Sequence, residues 1–269
     1  MSMKKLERIL KHINTSLDSN NILVYQMGKV GSTALEESLP NARHFHTLYK
    51  RRCCQFLTNI LLPSLNLRIY SYLIQVGNIF LYRCRKNVKI LSLIRNPYER
   101  NISHFFQDLP LWLSDYIVSN NIQSRQENRD LIKECFEEHF NFDYSRYWFK
   151  AEIERFSGIK LEDCKFDYDK GLARGQKGKY QILIIRMDRL SKAQSELSEF
   201  VGAETNIGKR NVGDEKWYGS LYADFKNSYV PSDEVIKKSF DVDWVRAFYN
   251  VKEIETMKYN AKHPKTMCK

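Results

Sequence analysis

The sequence has no CxxC pair and no Cys/His spacing of the kind that binds zinc. Its six cysteines (Cys53, Cys54, Cys84, Cys135, Cys164, Cys268) are scattered over 269 residues. That excludes zinc ribbons and redox dithiols, and reduced thiols in a cytoplasmic protein are the expectation. No segment is biased enough in composition to be disordered, and there are no internal repeats. Long hydrophobic runs are missing too. The greasiest stretch, 56–82, carries Pro63, Asn66, Arg68, Gln75 and Asn78, and falls short of the roughly 20 apolar residues a membrane span requires. A buried or interfacial helix pair is expected there, with peripheral contact to the inner face of a membrane left open. The opening MSMKKLERILKHI lacks an apolar core of signal-peptide length. Acidic residues are in deficit: 32 Asp and Glu against 43 Lys and Arg leave a net charge of +11. Such an excess suits an anionic partner. The aromatics do not alternate with basic residues as in single-strand binders, which argues against nucleic acid.

What the chain does have is apolar segments at regular intervals. Residues 6–17 pattern as an amphipathic helix. Residues 21–26 (NILVYQ), 43–48, 87–94 (NVKILSLI) and 181–186 (QILIIR) pattern as strands, with helical periodicity over 109–140 and 144–156. Strands alternating with helices predict an α/β fold, a parallel sheet flanked by helices. One domain is expected over 1–269, with a helical C-terminal section from about residue 200. Gly171 to Gly178 (GLARGQKG) reads as a flexible basic loop.

The first strand runs into YQMGKVGSTALEESLP, Tyr25 to Pro40. A Walker A loop has its lysine just before the Ser/Thr; here Lys29 follows the first glycine, in Gly28-Lys29-Val30-Gly31-Ser32-Thr33. Backbone N–H groups at a helix start, with the Ser32 and Thr33 hydroxyls, suit one phosphate. Gly31 lets the backbone approach closely. Lys29 is then placed to neutralise an oxygen that gains charge as a group leaves. The third strand runs into RNPYERNISHFF, Arg95 to Phe106. Arg95 leaves the strand at the end where open α/β sheets bind ligands. Pro97 favours a helix start, and Ser103, eight residues after Arg95, allows a guanidinium and a hydroxyl to converge on a second phosphate.

Together these segments resemble the sulfotransferases that use 3′-phosphoadenosine-5′-phosphosulfate (PAPS). QMGKVGSTAL is similar to their 5′-phosphosulfate loop and IRNPYERNISHFF to their 3′-phosphate motif. ILIIRMDRL (Ile182 to Leu190) is similar to a later strand and turn of the carbohydrate members. The stretch from Phe200 to Lys226, with VRAFYNVKEIE after it, resembles the tail of bacterial capsular polysaccharide sulfotransferases. The resemblance extends from Asn21 to about Tyr259 and implies a P-loop-like α/β sheet. It also implies PAPS as co-substrate, a carbohydrate acceptor, and roles for individual residues. Lys29 would stabilise the bridging oxygen between sulfur and the 5′-phosphate. Gly28, Val30, Gly31, Ser32 and Thr33 would hold that phosphate, Arg95 and Ser103 the 3′-phosphate, and Lys209 and Arg210 would close over the nucleotide.

Transfer to an alcohol requires a base. His46 and then His44, at i, i+2 in ARHFHTL, share one face of the second strand; Glu36 and Glu37 are the carboxylate options. His104 neighbours Ser103. The apolar run ILIIRMD does not end directly in Asp, so no Walker B pattern, and no metal, is implied. FDYSRYWF (142–149) and Lys216-Trp217-Tyr218 offer rings for a sugar or adenine, or for the core. Arg51, Arg52, Arg174, Lys177 and Lys179 suit an anionic glycan or plain solvent. Two rival readings remain open at this stage: a P-loop kinase using ATP, and a non-catalytic basic glycan-binding protein with a degenerate loop.

Overall fold

The computed structural model describes residues 22–31, 35, 38, 39, 42–49, 65–122, 128–205, 207 and 216–264. Among the described residues the sheet has six strands: β1 (Leu23–Tyr25), β2 (Arg43–Phe45), β3 (Val88–Ile94), β4 (Lys165–Asp167), β5 (Leu172–Lys177) and β6 (Tyr180–Arg186). Their order across the sheet is β2-β1-β3-β6-β5-β4. The first four of these positions pair in parallel, and β5 and β4 add an antiparallel edge. β3 and β6 are near-continuous runs of Val, Ile and Leu, as strands covered on both faces require. Ile90, Leu91, Leu183, Ile184 and Ile185 are fully buried. β1 is short but wholly inside, whereas β2 at the edge is only half-buried.

The segment 171–178 is not a loop. Leu172–Lys177 is β5, joined to β6 by a two-residue turn at Gly178-Lys179. Its glycines and cations hide the strand from a hydrophobic-pattern reading. Gly175 is nonetheless demanded by packing: a Cβ there would lie 2.9 Å from Cys164 Sγ, 3.0 Å from Ile159 Cγ2 and 3.1 Å from Ile182 Cγ2. The cations of the segment have ordinary partners: Arg174 pairs with Glu199 at 2.8 Å, and Lys179 donates to the Arg83 carbonyl.

Among the described residues the α-helices of six residues or more are α1 (Leu65–Cys84), α2 (Pro97–Gln107), α3 (Leu109–Ser119), α4 (Asn128–Glu134), α5 (Asp143–Trp148), α6 (Gln194–Val201), α7 (Gly219–Ser228), α8 (Asp233–Phe240), α9 (Asp243–Phe248) and α10 (Val251–Lys262). Two of them run on into π-helical turns, Cys135–His139 after α4 and Phe149–Glu154 after α5. The pattern over 109–140 is interrupted after Asn120, and Asn121 adopts φ 51°. Within α1 the large apolar side chains Tyr72, Leu73, Val76 and Phe80 are exposed. Among the described residues no helix is long and apolar enough to cross a membrane. The expected helix at 6–17 lies outside the described residues.

The C-terminal helices seat on α2. Phe106 meets Phe225 and Tyr222 of α7 at ring distances of 5.2 and 5.4 Å, and Asn101 donates to Ser239 of α8 at 3.4 Å. The ring-rich stretch 142–149 belongs mostly to the core: Phe142, Tyr144, Trp148 and Phe149 are buried. α2 is thus held between the sheet and α7, and so lies along the edge where β1, β2 and β3 all end.

Candidate functional site

That edge is stitched by Gln26, the first residue after β1. Its N–H donates to the Phe45 carbonyl at the end of β2, and its buried side-chain carbonyl accepts from Leu93 N–H in β3 at 3.0 Å. The chain then turns sharply. Lys29 takes φ 70°, a left-handed conformation that costs a non-glycine residue about 1 kcal/mol or more. Gly31 follows at φ 95°, where a Cβ would press on Met187 Cε and Sδ at 3.0 and 3.1 Å. The loop is therefore wedged against the residue just past β6. The Gly28 carbonyl accepts from Arg100 Nε at 3.0 Å; Arg100 is itself buried and lies over the Tyr144 ring at 4.7 Å. The Val30 side chain is fully buried.

Asn96 caps α2, its side chain accepting from the N–H groups of Tyr98 and Glu99 at 3.0 and 3.3 Å, with Pro97 as the first helical residue. The cap fixes where Arg95 emerges. Arg95 donates to Glu99 at 2.8 Å and also hydrogen-bonds the Tyr222 hydroxyl. Lys29 Nζ donates to Gln107 Oε1 at 2.6 Å, at the far end of the same helix. Glu99, Ser103 and Gln107 are spaced i, i+4, i+8 and form one stripe of α2. Arg95 is tied to one end of the stripe and Lys29 to the other, with half-buried Ser103 between. The two cations mark the ends of this stripe, and the Arg95 charge acts on the Lys29 amine.

Lys216, just before α7, closes the cleft on the Lys29 side. Burial first, and then the nearby Lys216 amine, pull Lys29 down from the ordinary lysine value to about 8. Lys216 itself is held above its ordinary value: burial opposes this, but hydrogen bonds with Tyr218 and Lys29 outweigh it. A half-buried amine beside Lys216 and Arg95, with Asp108 as the counter-charge acting on it, has the perturbed electrostatics of a candidate anion site. The sequence offers the stretch Lys216-Trp217-Tyr218 for its rings, but gives no signal for the Lys216 amine or for Tyr222 at this site. They lie some 120 residues beyond Arg95, and only the packing of α7 on α2 brings them to the cleft.

The histidines stand at the end of β2, beside β1. The His44 and His46 rings are 4.4 Å apart, as their shared strand face requires. His46 is exposed, and its Nδ1 lies 3.1 Å from the Gln26 carbonyl, to which it donates. In the neutral ring this leaves the Nε2 lone pair as the basic one. The backbone here is pinned from below. Trp148 Nε1 donates to the His46 carbonyl at 2.8 Å, and buried Glu152 accepts from Leu48 N–H, Tyr49 N–H and the Tyr25 hydroxyl. Trp148 immediately precedes the π-helical turn and Glu152 lies within it, a feature often found beside functional sites. His104 faces inward among Phe140 and Tyr144, with Asp108 at 3.7 Å, not along the Ser103 stripe. Burial, then Arg100 and Lys29, hold its pKa well below the ordinary value, so it is neutral.

Ser32, Thr33, Glu36, Glu37, Lys209 and Arg210, together with Arg51 and Arg52, lie outside the described residues. Asp188 is engaged by Arg186 at 2.7 Å. Among the described residues no group of three or more His, Cys, Asp or Glu side chains is placed to hold a metal. An open groove of about 410 Å³ between α8 and α10, lined by Ile236, Phe240, Val251 and Ile254 among others, includes none of the cleft residues.

Residues 121–250 match the family model NKWYS, described as "Putative capsular polysaccharide synthesis protein". The matched span takes in Trp148, Glu152, Lys216 and Tyr222 and leaves Lys29 and Arg95 outside it. No curated protein and no solved structure matches the chain.

Proposed function

We propose that this protein is a sulfotransferase that moves a sulfuryl group from PAPS to a hydroxyl of a carbohydrate, a capsular or surface polysaccharide or its precursor. The observation that carries the reading is the joint placement of Lys29 and Arg95 at the two ends of the Glu99–Ser103–Gln107 stripe, near enough for the Arg95 charge to act on the Lys29 amine. Two cationic positions joined by a polar stripe suit a nucleoside with a phosphate at each end. The capsular polysaccharide description of the matched family supports a carbohydrate acceptor.

In this reading Arg95, with Ser103, grips the 3′-phosphate; guanidinium–phosphate pairs are the strongest of such contacts. The loop from Gly28 through Thr33 holds the 5′-phosphate. The acceptor oxygen attacks sulfur as the bond from sulfur to the 5′-phosphate oxygen breaks, leaving a sulfate ester and adenosine 3′,5′-bisphosphate. The acceptor proton passes to His46 Nε2, whose ring is oriented by the Gln26 carbonyl. Lys29, with Lys216 behind it, neutralises the departing oxygen. Lys209 and Arg210 would close the nucleotide in. The depressed Lys29 pKa fits this assignment, because an anion beside it restores the ammonium.

A kinase reading is weaker. The lysine is displaced relative to Ser32-Thr33, and Asp188 is tied up by Arg186. The test is transfer of label from ³⁵S-PAPS to a capsular polysaccharide preparation by wild type, Lys29→Ala and Arg95→Ala. Transfer by wild type that falls at least 100-fold in both variants supports the reading; undiminished transfer in both rejects it.

A further inference from the structure

The chain has four tryptophans, and three of them (Trp112, Trp148, Trp244) are 2% exposed. Trp217 is 70% exposed. A lone surface aromatic is commonplace, but this one has a particular address. It sits between Lys216, whose amine meets that of Lys29, and Tyr218, which is buried and packs toward Phe106 at a ring distance of 6.2 Å. Its own ring stands edge-on to Tyr218 at 5.4 Å and 86°. The residues on either side are therefore anchored while the indole is left in solvent.

We infer that Trp217 is the platform on which a sugar ring of the acceptor stacks. The inference rests on the sulfuryl-transfer reading for its polarity. Arg95 and Tyr222 mark the end of the cleft that takes the 3′-phosphate, and hence the nucleoside side. Lys29 and Lys216 mark the end where the sulfur–oxygen bond breaks. Trp217 adjoins Lys216, whose amine meets that of Lys29 beside the breaking bond. Tyr222 follows one helical turn after Tyr218, and nucleotide titration separates an acceptor platform from an adenine platform. An indole offers a flat, electron-rich face to the polarised C–H groups of a pyranose, at little conformational cost because only two side-chain torsions are fixed. The ammonium of Lys216 beside it favours a sugar that carries a carboxylate or sulfate over a neutral one.

The tryptophan census makes the test direct, since Trp217 alone among the four is open to a water-soluble quencher. Wild-type protein with adenosine 3′,5′-bisphosphate is titrated with two sets of hexasaccharides, one containing uronic acid and one neutral, while acrylamide quenching of tryptophan emission is followed. Nucleotide affinity is measured separately by calorimetry. The expected result is that the uronic-acid saccharides shield the quenchable component. Trp217→Ala should lose saccharide affinity about tenfold or more, Trp217→Phe should stay within about threefold of wild type, and nucleotide affinity should be unchanged in both. The inference is overturned if no saccharide shields Trp217 while the bisphosphate still binds, or if Trp217→Ala binds saccharide as wild type does. It is also overturned if Trp217→Ala weakens the nucleotide tenfold, which would make the indole an adenine platform. Failure of wild type to bind the bisphosphate at all would reject the underlying reading instead.

Discussion

The amines of Lys29 and Lys216 meet in a half-buried cleft, and burial together with that neighbour brings Lys29 down to about 8. A free amine is a poor partner for an anion, so the ligand and the proton are coupled. Below pH 8 the ammonium dominates; above it the neutral amine does, and binding must first take up a proton. Nucleotide phosphates are already almost fully ionised above pH 7. The affinity for adenosine 3′,5′-bisphosphate is therefore expected to be flat from pH 7 to 8 and to fall about tenfold per unit above 8. Calorimetry in buffers of different ionisation enthalpy should show proton uptake above pH 8, and Lys29→Arg, which stays charged, should abolish it. Affinity that rises above pH 8 would contradict the assignment.

Arg95 and Ser103 are assigned to one phosphate only. Arg95→Ala should lose about 10- to 100-fold in affinity for adenosine 3′,5′-bisphosphate, with little change for adenosine 5′-phosphate. Ser103→Ala should move the same ratio in the same direction by less. Equal losses for both nucleotides would mean that Arg95 acts through the fold, by way of Glu99 and Tyr222, and not through the 3′-phosphate.

His46 and His44 share a strand face, but the surroundings separate them. His46 is exposed and has its Nδ1 engaged by the Gln26 carbonyl, whereas His44 is half-buried. His46→Ala is expected to lower turnover about 100-fold or more while leaving bisphosphate affinity within about twofold, and His44→Ala to cost less than tenfold. The reverse ranking would transfer the role to His44.

The strand β5 carries a stability prediction. A methyl at residue 175 would meet Cys164, Ile159 and Ile182 at 2.9–3.1 Å. Overpacking of this kind costs about 1–3 kcal/mol, so Gly175→Ala should lower Tm by roughly 3–9 °C. An unchanged Tm would mean that the hairpin is not packed there.

Much of the sheet is legible in the sequence because β1, β3 and β6 are largely buried on both faces and so read as near-continuous apolar runs. The start of α2 is legible as well, since Asn96 and Pro97 are a local capping signal. β5 is hidden because its strand character comes from its partners: Leu172-Ala173-Arg174-Gly175-Gln176-Lys177 has no alternation and two backbone-freeing neighbours, Gly171 and Gly178. In the site, Lys29 and Arg95 are announced by glycine and proline beside them. Lys216 and Tyr222 are not, because each reaches the site only through helix packing that pairs distant segments; Gln107 lies on the stripe of α2, but its partner Lys29 is 78 residues away. The pinning of His46 by Trp148 and Glu152 spans about a hundred residues and leaves no local trace either.

The central claim is that one cleft holds both phosphates of a single nucleotide. Calorimetric titration of the full chain with adenosine 3′,5′-bisphosphate, without added magnesium, tests it most directly. The account predicts one site per chain, binding at least tenfold tighter than ATP with magnesium, and a clear loss of affinity in both Lys29→Ala and Arg95→Ala. Tighter binding of magnesium–ATP, or bisphosphate binding that neither substitution weakens, would contradict it.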